Sequence, residues 1–362
     1  MPSVYSVPQY SIFIHPKQLF KLNQNIYDDE TVSARLKIAS KTCPIHISYR
    51  GHHIRKFKKK SFRVIFQDST LYKGAKEIHL NSEFKDHSLI RNKLSFDFFH
   101  SIGVIAPQAQ HVCLMLNGKN QGVYLEIESF DEYFLRKRNI ASGPIFYATN
   151  NDANFSLLTP EGKLKNSLMD GYTRKSGYES EDEYIKYLIF KVNTLTKEEF
   201  RKEIENLIDL DQYFKWLAGV VCIQHFDGFI HNYSLFLNPL TKKFEISPWD
   251  CDGTWGRDIH GRTMDLSDVP INGFNTLTAR ILDDVFFRVQ YKEILKHILD
   301  NHFTIDILSP IITQLHENIR PYVLQDPYKK QQIEHFDNEP SFICQFISEK
   351  NQYLRNRLCL LG

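Results

Sequence analysis

The sequence predicts an α+β protein of two lobes, β-rich over residues 1–155 and mainly helical over residues 184–362, with a polar loop or lid over residues 156–183 between them. Three observations predict it. Alternating apolar residues in the first third mark strands. A polar, glycine-containing stretch then breaks the pattern. Beyond it, capping residues lead into apolar residues recurring at helical spacing.

The elements follow in order. Ile45-His-Ile-Ser-Tyr49 alternates, and Phe62, Val64 and Phe66 alternate again, so two paired strands are expected with a basic loop between them. A helix over 88–101 follows from Ile90, Leu94 and Phe98 at intervals of four, with Asp86 near its start and Gly103 past its end. Next comes a hairpin, Val112–Leu116 and Val123–Glu128, with its turn over Asn117–Gly122. Strand, strand, helix, strand, strand suits a small nucleotide-clamping lobe, and equally an ordinary α+β domain. After the polar segment, Ser180-x-x-Glu183 and Thr196-x-x-Glu199 read as capping boxes. Asp209 caps a third helix, with Leu210, Tyr213, Leu217 and Val221 on one face, that runs out at Gly228. Two further helices carry Tyr291, Ile294, Leu295 and Ile298, then Ile311, Ile312, Leu315 and Ile319.

Composition narrows the function. The 362 residues are 42% hydrophobic, which suits a globular chain with a substantial core. Lys+Arg 45 against Asp+Glu 43 gives a formal +2, too near neutral for a general nucleic-acid or membrane binder. The six cysteines form no C-x-x-C pair, so neither a zinc site nor a disulfide framework is indicated and a reducing compartment is expected. The first ten residues show no charged-then-apolar leader pattern, and no apolar run approaches the roughly 20 residues that span a bilayer.

The chemistry concentrates in Asp227-Gly-Phe-Ile-His-Asn232-Tyr and Ser247-Pro-Trp-Asp250-Cys-Asp252-Gly253. Tyr233–Leu237 and Phe244–Ser247 read as strands joined by an Asn-Pro turn, and pairing them returns Asp250 to the side of Asn232. Phosphoryl-transfer enzymes arrange a base and two oxygen ligands for magnesium in this way. Asp227 is then the candidate catalytic residue, facing an incoming hydroxyl. Asn232 and Asp250 are the candidate ligands for Mg²⁺, with Asp252 in reserve. The spacing Asp-x-x-x-x-Asn alone arises about once by chance in a chain of this size, so the returning hairpin carries the assignment. His52, His53, His225 and His231 lack metal-binding spacing.

A nucleotide also needs a cation. Arg55, Lys56, Lys58, Lys59, Lys60 and Arg63 are clustered, and such a run is commonly a solvated face. Alternation puts Lys60 on the face of Phe62, Val64 and Phe66, where a buried ammonium needs an anion such as ATP phosphate. Lys60 is thus the first candidate for nucleotide binding and Lys59 the second. Glu126 and Glu128 are candidates to lie near an adenine, although solvent-facing strand positions explain them more simply.

Five stretches resemble the spore coat protein H (CotH) kinase family, Bacillus-type members in particular: Tyr49–Ser61, Ile90–Leu94, Asn117–Tyr124, Asp227–Asn232 and Pro248–Gly256. The resemblance implies a divergent protein-kinase-like fold and use of ATP with Mg²⁺ or Mn²⁺. It implies transfer of the γ-phosphate to serines of serine-rich basic coat proteins, with autophosphorylation, and a route from the mother-cell cytosol to the spore coat. Asp227 matches the catalytic aspartate, Asn232 the catalytic-loop asparagine and Asp250 the metal-binding aspartate, while Lys60 fits the nucleotide lysine beside Lys59. Cys251 stands where many kinases have an aromatic residue, and no acidic partner for Lys60 is visible. Rival readings are a non-catalytic coat scaffold and another ATP-dependent transferase, such as an adenylylating enzyme.

Overall fold

The computed structural model describes residues 7–362; residues 1–6, on which the absence of a leader was partly read, lie outside the described residues. The chain is of the mixed α+β class and divides into two compact units. The first takes the described residues up to Leu94, Pro107–Lys137 and Ser309–Phe342; the second takes Ser95–Ala106, Arg138–Leu308 and Ile343–Gly362. The sequence-drawn boundary at 155 therefore differs from the structural one at Lys137, and a C-terminal segment belongs to the first unit.

The first unit is built on a closed barrel in the order β1-β2-β3-β4-β5-β7-β6. Its strands are β1 (Gln9–Ile14), β2 (Val32–Ile38), β3 (Lys41–Arg50), β4 (Ser61–Phe66), β5 (Glu77–Asn81), β6 (Ala109–Leu116) and β7 (Lys119–Glu128). The two strands expected around the basic loop are β3 and β4, antiparallel with Ile45 opposite Phe66 and Tyr49 opposite Phe62. β1 closes the barrel by pairing antiparallel with β2 and parallel with β6. Alternate residues fill the interior, among them Tyr10, Ile12, Leu36, Ile45, Ile47, Phe62, Val64, Phe66, Leu80 and Leu114. Closure leaves no open sheet edge, and each buried aliphatic or aromatic side chain contributes about 1.5–3 kcal/mol. The β6–β7 turn is tighter than expected: Leu116 faces Lys119 across Asn117-Gly118, both at positive φ, and a bulge at Leu114/Met115 takes up the slack. Glu126 and Glu128 are buried rather than solvent-facing. Glu126 accepts hydrogen bonds from Tyr10 and Gln110, and Glu128 pairs with Lys137.

The second unit holds a four-stranded sheet in the order β11-β10-β8-β9, formed by β8 (Ile145–Ala148), β9 (Tyr172–Ser176), β10 (Tyr233–Leu237) and β11 (Phe244–Pro248). β9 lies inside the segment read as a polar loop; its polar sequence, Tyr-Thr-Arg-Lys-Ser, hides the strand pattern. The helices are α1 (Pro16–Gln24), α2 (Arg91–Ser101), α3 (Glu132–Lys137), α4 (Asp182–Thr194), α5 (Lys197–Leu207), α6 (Leu210–Ile223), α7 (Thr276–Leu282), α8 (Val285–Asn301), α9 (Ile305–Val323) and α10 (Ile333–Arg355).

Their starts follow local chemistry. Asp86 accepts from the Arg91 backbone N–H before α2, Thr196 and Glu199 form the expected capping box of α5, and Asp209 accepts from Gln212 N–H at the head of α6. The box expected at Ser180 and Glu183 is displaced, because Glu181 instead closes onto the Tyr178 N–H at 2.6 Å. α6 ends at Ile223 rather than Gly228, since Gln224 turns left-handed at φ 60°. Among the described residues, no helix is long and apolar enough to cross a membrane.

Candidate active site

Four residues past the end of α6, Asp227 opens a single 3₁₀ turn, Asp227–Phe229, in the second unit. Its carboxylate accepts no hydrogen bond from the described residues, and His231 Nε2 lies 3.9 Å from its Oδ2. Asp227 is 24% exposed, wet enough to meet a substrate hydroxyl and shielded enough to be held in place.

The β10–β11 hairpin does what the sequence expected of it. Tyr233 pairs with Pro248, and one step outward the Trp249 N–H donates to the Asn232 carbonyl at 2.9 Å. Asn232 Nδ2 donates to the Asp250 carbonyl at 3.4 Å, leaving Oδ1 as the amide's acceptor. Both residues sit in the left-handed region, Asn232 at φ 58° and Asp250 at φ 47°, where the short polar side chains of Asn and Asp are tolerated best. Such backbone strain clusters where geometry serves function. The Asp250 carboxylate also accepts no hydrogen bond from the described residues, so two hard oxygens stand at the end of one hairpin.

That donor set fits a magnesium ion, which takes one or two protein oxygens and fills its shell with water and phosphate. It does not resemble a His/Cys cage: among the described residues, no cluster of three or more His, Cys, Asp or Glu side chains could hold a metal.

His225 braces the arrangement, a feature the sequence reading missed because it weighed His225 only as a zinc ligand. Its ring is buried, and Nε2–H donates to the Trp249 carbonyl at 3.1 Å, tying the Asp227 turn to the segment that carries Asp250. Burial holds the imidazole below its ordinary pKa, so the ring is neutral and Nδ1 is the unprotonated nitrogen. Among the described residues, Nδ1 has no hydrogen-bond partner.

The candidate lysines lie in the first unit, and the alternation argument exchanges them. β4 begins only at Ser61, so its period of two does not extend back through Lys60. Lys60 is partly exposed; its Nζ donates to the Arg55 carbonyl and lies 5.8 Å from the Tyr49 ring centroid. Lys59 is the buried lysine, with its side chain wholly inaccessible. Its Nζ donates to the Val123 carbonyl at 2.5 Å and to Asp326 Oδ2 at 3.0 Å, and lies 4.8 Å from the Tyr124 ring centroid. Burial lowers the Lys59 pKa, and the Asp326 carboxylate opposes that shift.

The chain matches the family profile described as CotH kinase protein over residues 47–354. It is 50% identical over 362 residues to the inner spore coat protein H of Bacillus subtilis (strain 168), covering 100% of both chains. The chain belongs to the CotH kinase protein family. A second relative in that organism, the inner spore coat protein H-like protein, is 26% identical over 304 residues, 84% of this chain and 87% of the other. Among solved structures, the Helicobacter pylori proinflammatory kinase CtkA aligns over 99% of this chain and 98% of that one, at 9% identity and a TM-score of 0.32, a score at which the likeness carries no argument.

In this CotH-family chain the lysine with an acidic partner is Lys59, paired with Asp326 267 residues away, whereas the sequence reading sought such a partner for Lys60. Asp326 also accepts the Val123 N–H at 3.0 Å and the Tyr328 N–H at 2.8 Å. It fits only because residue 122 is glycine: a Cβ there would lie 2.0 Å from Asp326 Oδ2. The family-like stretch Asn117–Tyr124 thus contains the socket for the Asp326 side-chain carboxylate. A second buried set lies in the same unit. Arg91 pairs with Asp86 at 2.5 Å and Glu339 at 2.6 Å, and Lys329 donates to the carbonyls of Phe84 and Asp86.

Proposed function

We propose that this protein is an atypical protein kinase that transfers the γ-phosphate of ATP to serines of serine-rich basic spore coat proteins and to itself, in support of coat assembly. What supports the reading is membership of the CotH kinase family together with one geometric observation: a hairpin brings Asn232 and Asp250 side by side next to the Asp227 turn. The likeness over full length to an inner spore coat protein supports a path from the mother-cell cytosol to the coat.

Asp227 orients the acceptor hydroxyl and takes its proton late in transfer, when the phosphoryl group is loosely bonded to both oxygens. Asn232 Oδ1 and the Asp250 carboxylate would hold Mg²⁺ or Mn²⁺, which when bound neutralises charge on the phosphates. His225 fixes the distance between the Asp227 turn and the Asp250 segment, supplying the positioning on which a loose transition state depends. Lys60, a partly exposed residue, is the lysine available to ATP phosphate in this reading. Lys59 holds β7 and Asp326 together behind it. The two lobes of a kinase-like fold correspond in this reading to the barrel unit and the sheet-and-helix unit.

Incubation with labelled ATP, magnesium and a serine-rich basic peptide tests the proposal. Asp227→Asn is expected to lose transfer by about 10²–10⁴-fold. Wild-type transfer no greater than that of the variant would overturn it. Intact mass of the product separates a phosphate adduct from an AMP adduct.

A further inference from the structure

Beside Asp227 the second unit exposes a pair of aromatic rings. Phe226 is 43% exposed and Phe274 38% exposed, with ring centroids 4.9 Å apart. Large apolar side chains left in solvent as a contiguous pair call for a partner. These two are not loose. Phe274 packs on buried Phe229 at 4.5 Å, and Phe229 packs edge-on against buried Trp216 at 6.1 Å. Gly273 presses on the same ring, where a Cβ would lie 2.4 Å from Phe229. A column of rings therefore rises from the core and ends at the surface on Phe226, the residue that directly precedes Asp227 in the chain.

We infer that the Phe226–Phe274 pair is an acceptor subsite, taking a large apolar side chain one or two residues from the phosphorylated serine. The inference rests on the kinase reading and deepens it. Phe226 is bonded to Asp227, so their Cα atoms are about 3.8 Å apart. An extended acceptor advances about 3.3 Å per residue, so a serine held at Asp227 brings its first and second neighbours over the rings. The ledge is rigid before binding, and an apolar neighbour seated on it loses water without ordering a loop. The chain segments supplying the rings, the Asp227 turn and the stretch before α7, are thereby assigned to acceptor selection.

Two peptides test this, identical except that the two residues on each side of a single serine are all Leu or all Gly. Transfer from labelled ATP is measured with wild type, Phe274→Ala and Phe226→Leu. Wild type is expected to favour the Leu peptide in kcat/KM by about tenfold, the scale of one well-seated apolar group. Phe274→Ala should bring that ratio close to one by raising KM for the Leu peptide, and Phe226→Leu, which keeps an apolar surface, should retain most of it. A general disturbance of the fold lowers both peptides together and leaves the ratio standing, which would overturn the subsite. Wild-type transfer without a Leu preference would overturn it too. No transfer to either peptide would instead overturn the kinase reading on which it rests.

Discussion

Replacing Asp326 with alanine should destabilise the barrel unit far more than an ordinary surface change. Both Lys59 and Asp326 are wholly inaccessible, so truncation leaves a buried ammonium with the Val123 carbonyl as its acceptor, no ion-paired carboxylate, and the weaker field of Glu83 as counter-charge. It also strips the Val123 and Tyr328 N–H groups of their acceptor. Breaking a buried pair from one side costs about 3–5 kcal/mol, most of it the penalty on the charge left behind. For a unit of this size that is a fall in melting temperature on the order of 10 °C. Thermal unfolding followed by circular dichroism measures it. The double change Lys59→Met with Asp326→Leu removes both charges, and its cost should be much smaller, because apolar isosteres of a buried pair are often neutral. A shift under about 1 °C for Asp326→Ala, or a double variant less stable than the single one, would refute the reasoning.

Asp250→Ala should abolish magnesium-dependent ATP binding in calorimetry, and unchanged metal dependence would remove Asp250 from the site. Gly122→Ala puts a Cβ 2.0 Å from Asp326 Oδ2 at φ +83°, so a loss of about 1–3 kcal/mol is expected. Because it displaces the same carboxylate, combining it with Asp326→Ala should cost less than the two losses added, as a double-mutant cycle in urea would show. His111 is buried, donates to the Leu89 carbonyl, and has its pKa lowered to about 4 by desolvation. The unfolded chain binds this proton first, so stability is full above pH 6.5 and falls as pH drops toward 4, by about 3 kcal/mol from this group. Urea midpoints at pH 7 and 4.5 should converge in His111→Gln relative to wild type.

Residues close in sequence made much of the architecture and of the hairpin that carries Asn232 and Asp250 legible. The β3–β4 and β10–β11 pairs, the Thr196 and Asp209 caps and the Asn232–Asp250 approach all depend on alternation, turn chemistry and capping, which act over a few residues. Errors arose where local signals competed or were mute. Glu181 was nearer than Glu183 to the free N–H of Tyr178, and Gln224 ended α6 without a glycine. Polar β9 was held by its neighbour β8 rather than by its own pattern.

The sequence by itself determined which residues alternate, cap and turn, and it singled out Asp227, Asn232 and Asp250, because that reading needed no contact longer than a hairpin. Tertiary structure alone decided that β1 closes a barrel against β6, that Lys59 rather than Lys60 is buried, and that Asp326 is its partner. The physical reason is sequence distance. Taking a charge out of water is costly unless an opposite charge is delivered to it, and for Lys59 delivery comes from 267 residues away, which no local pattern can announce.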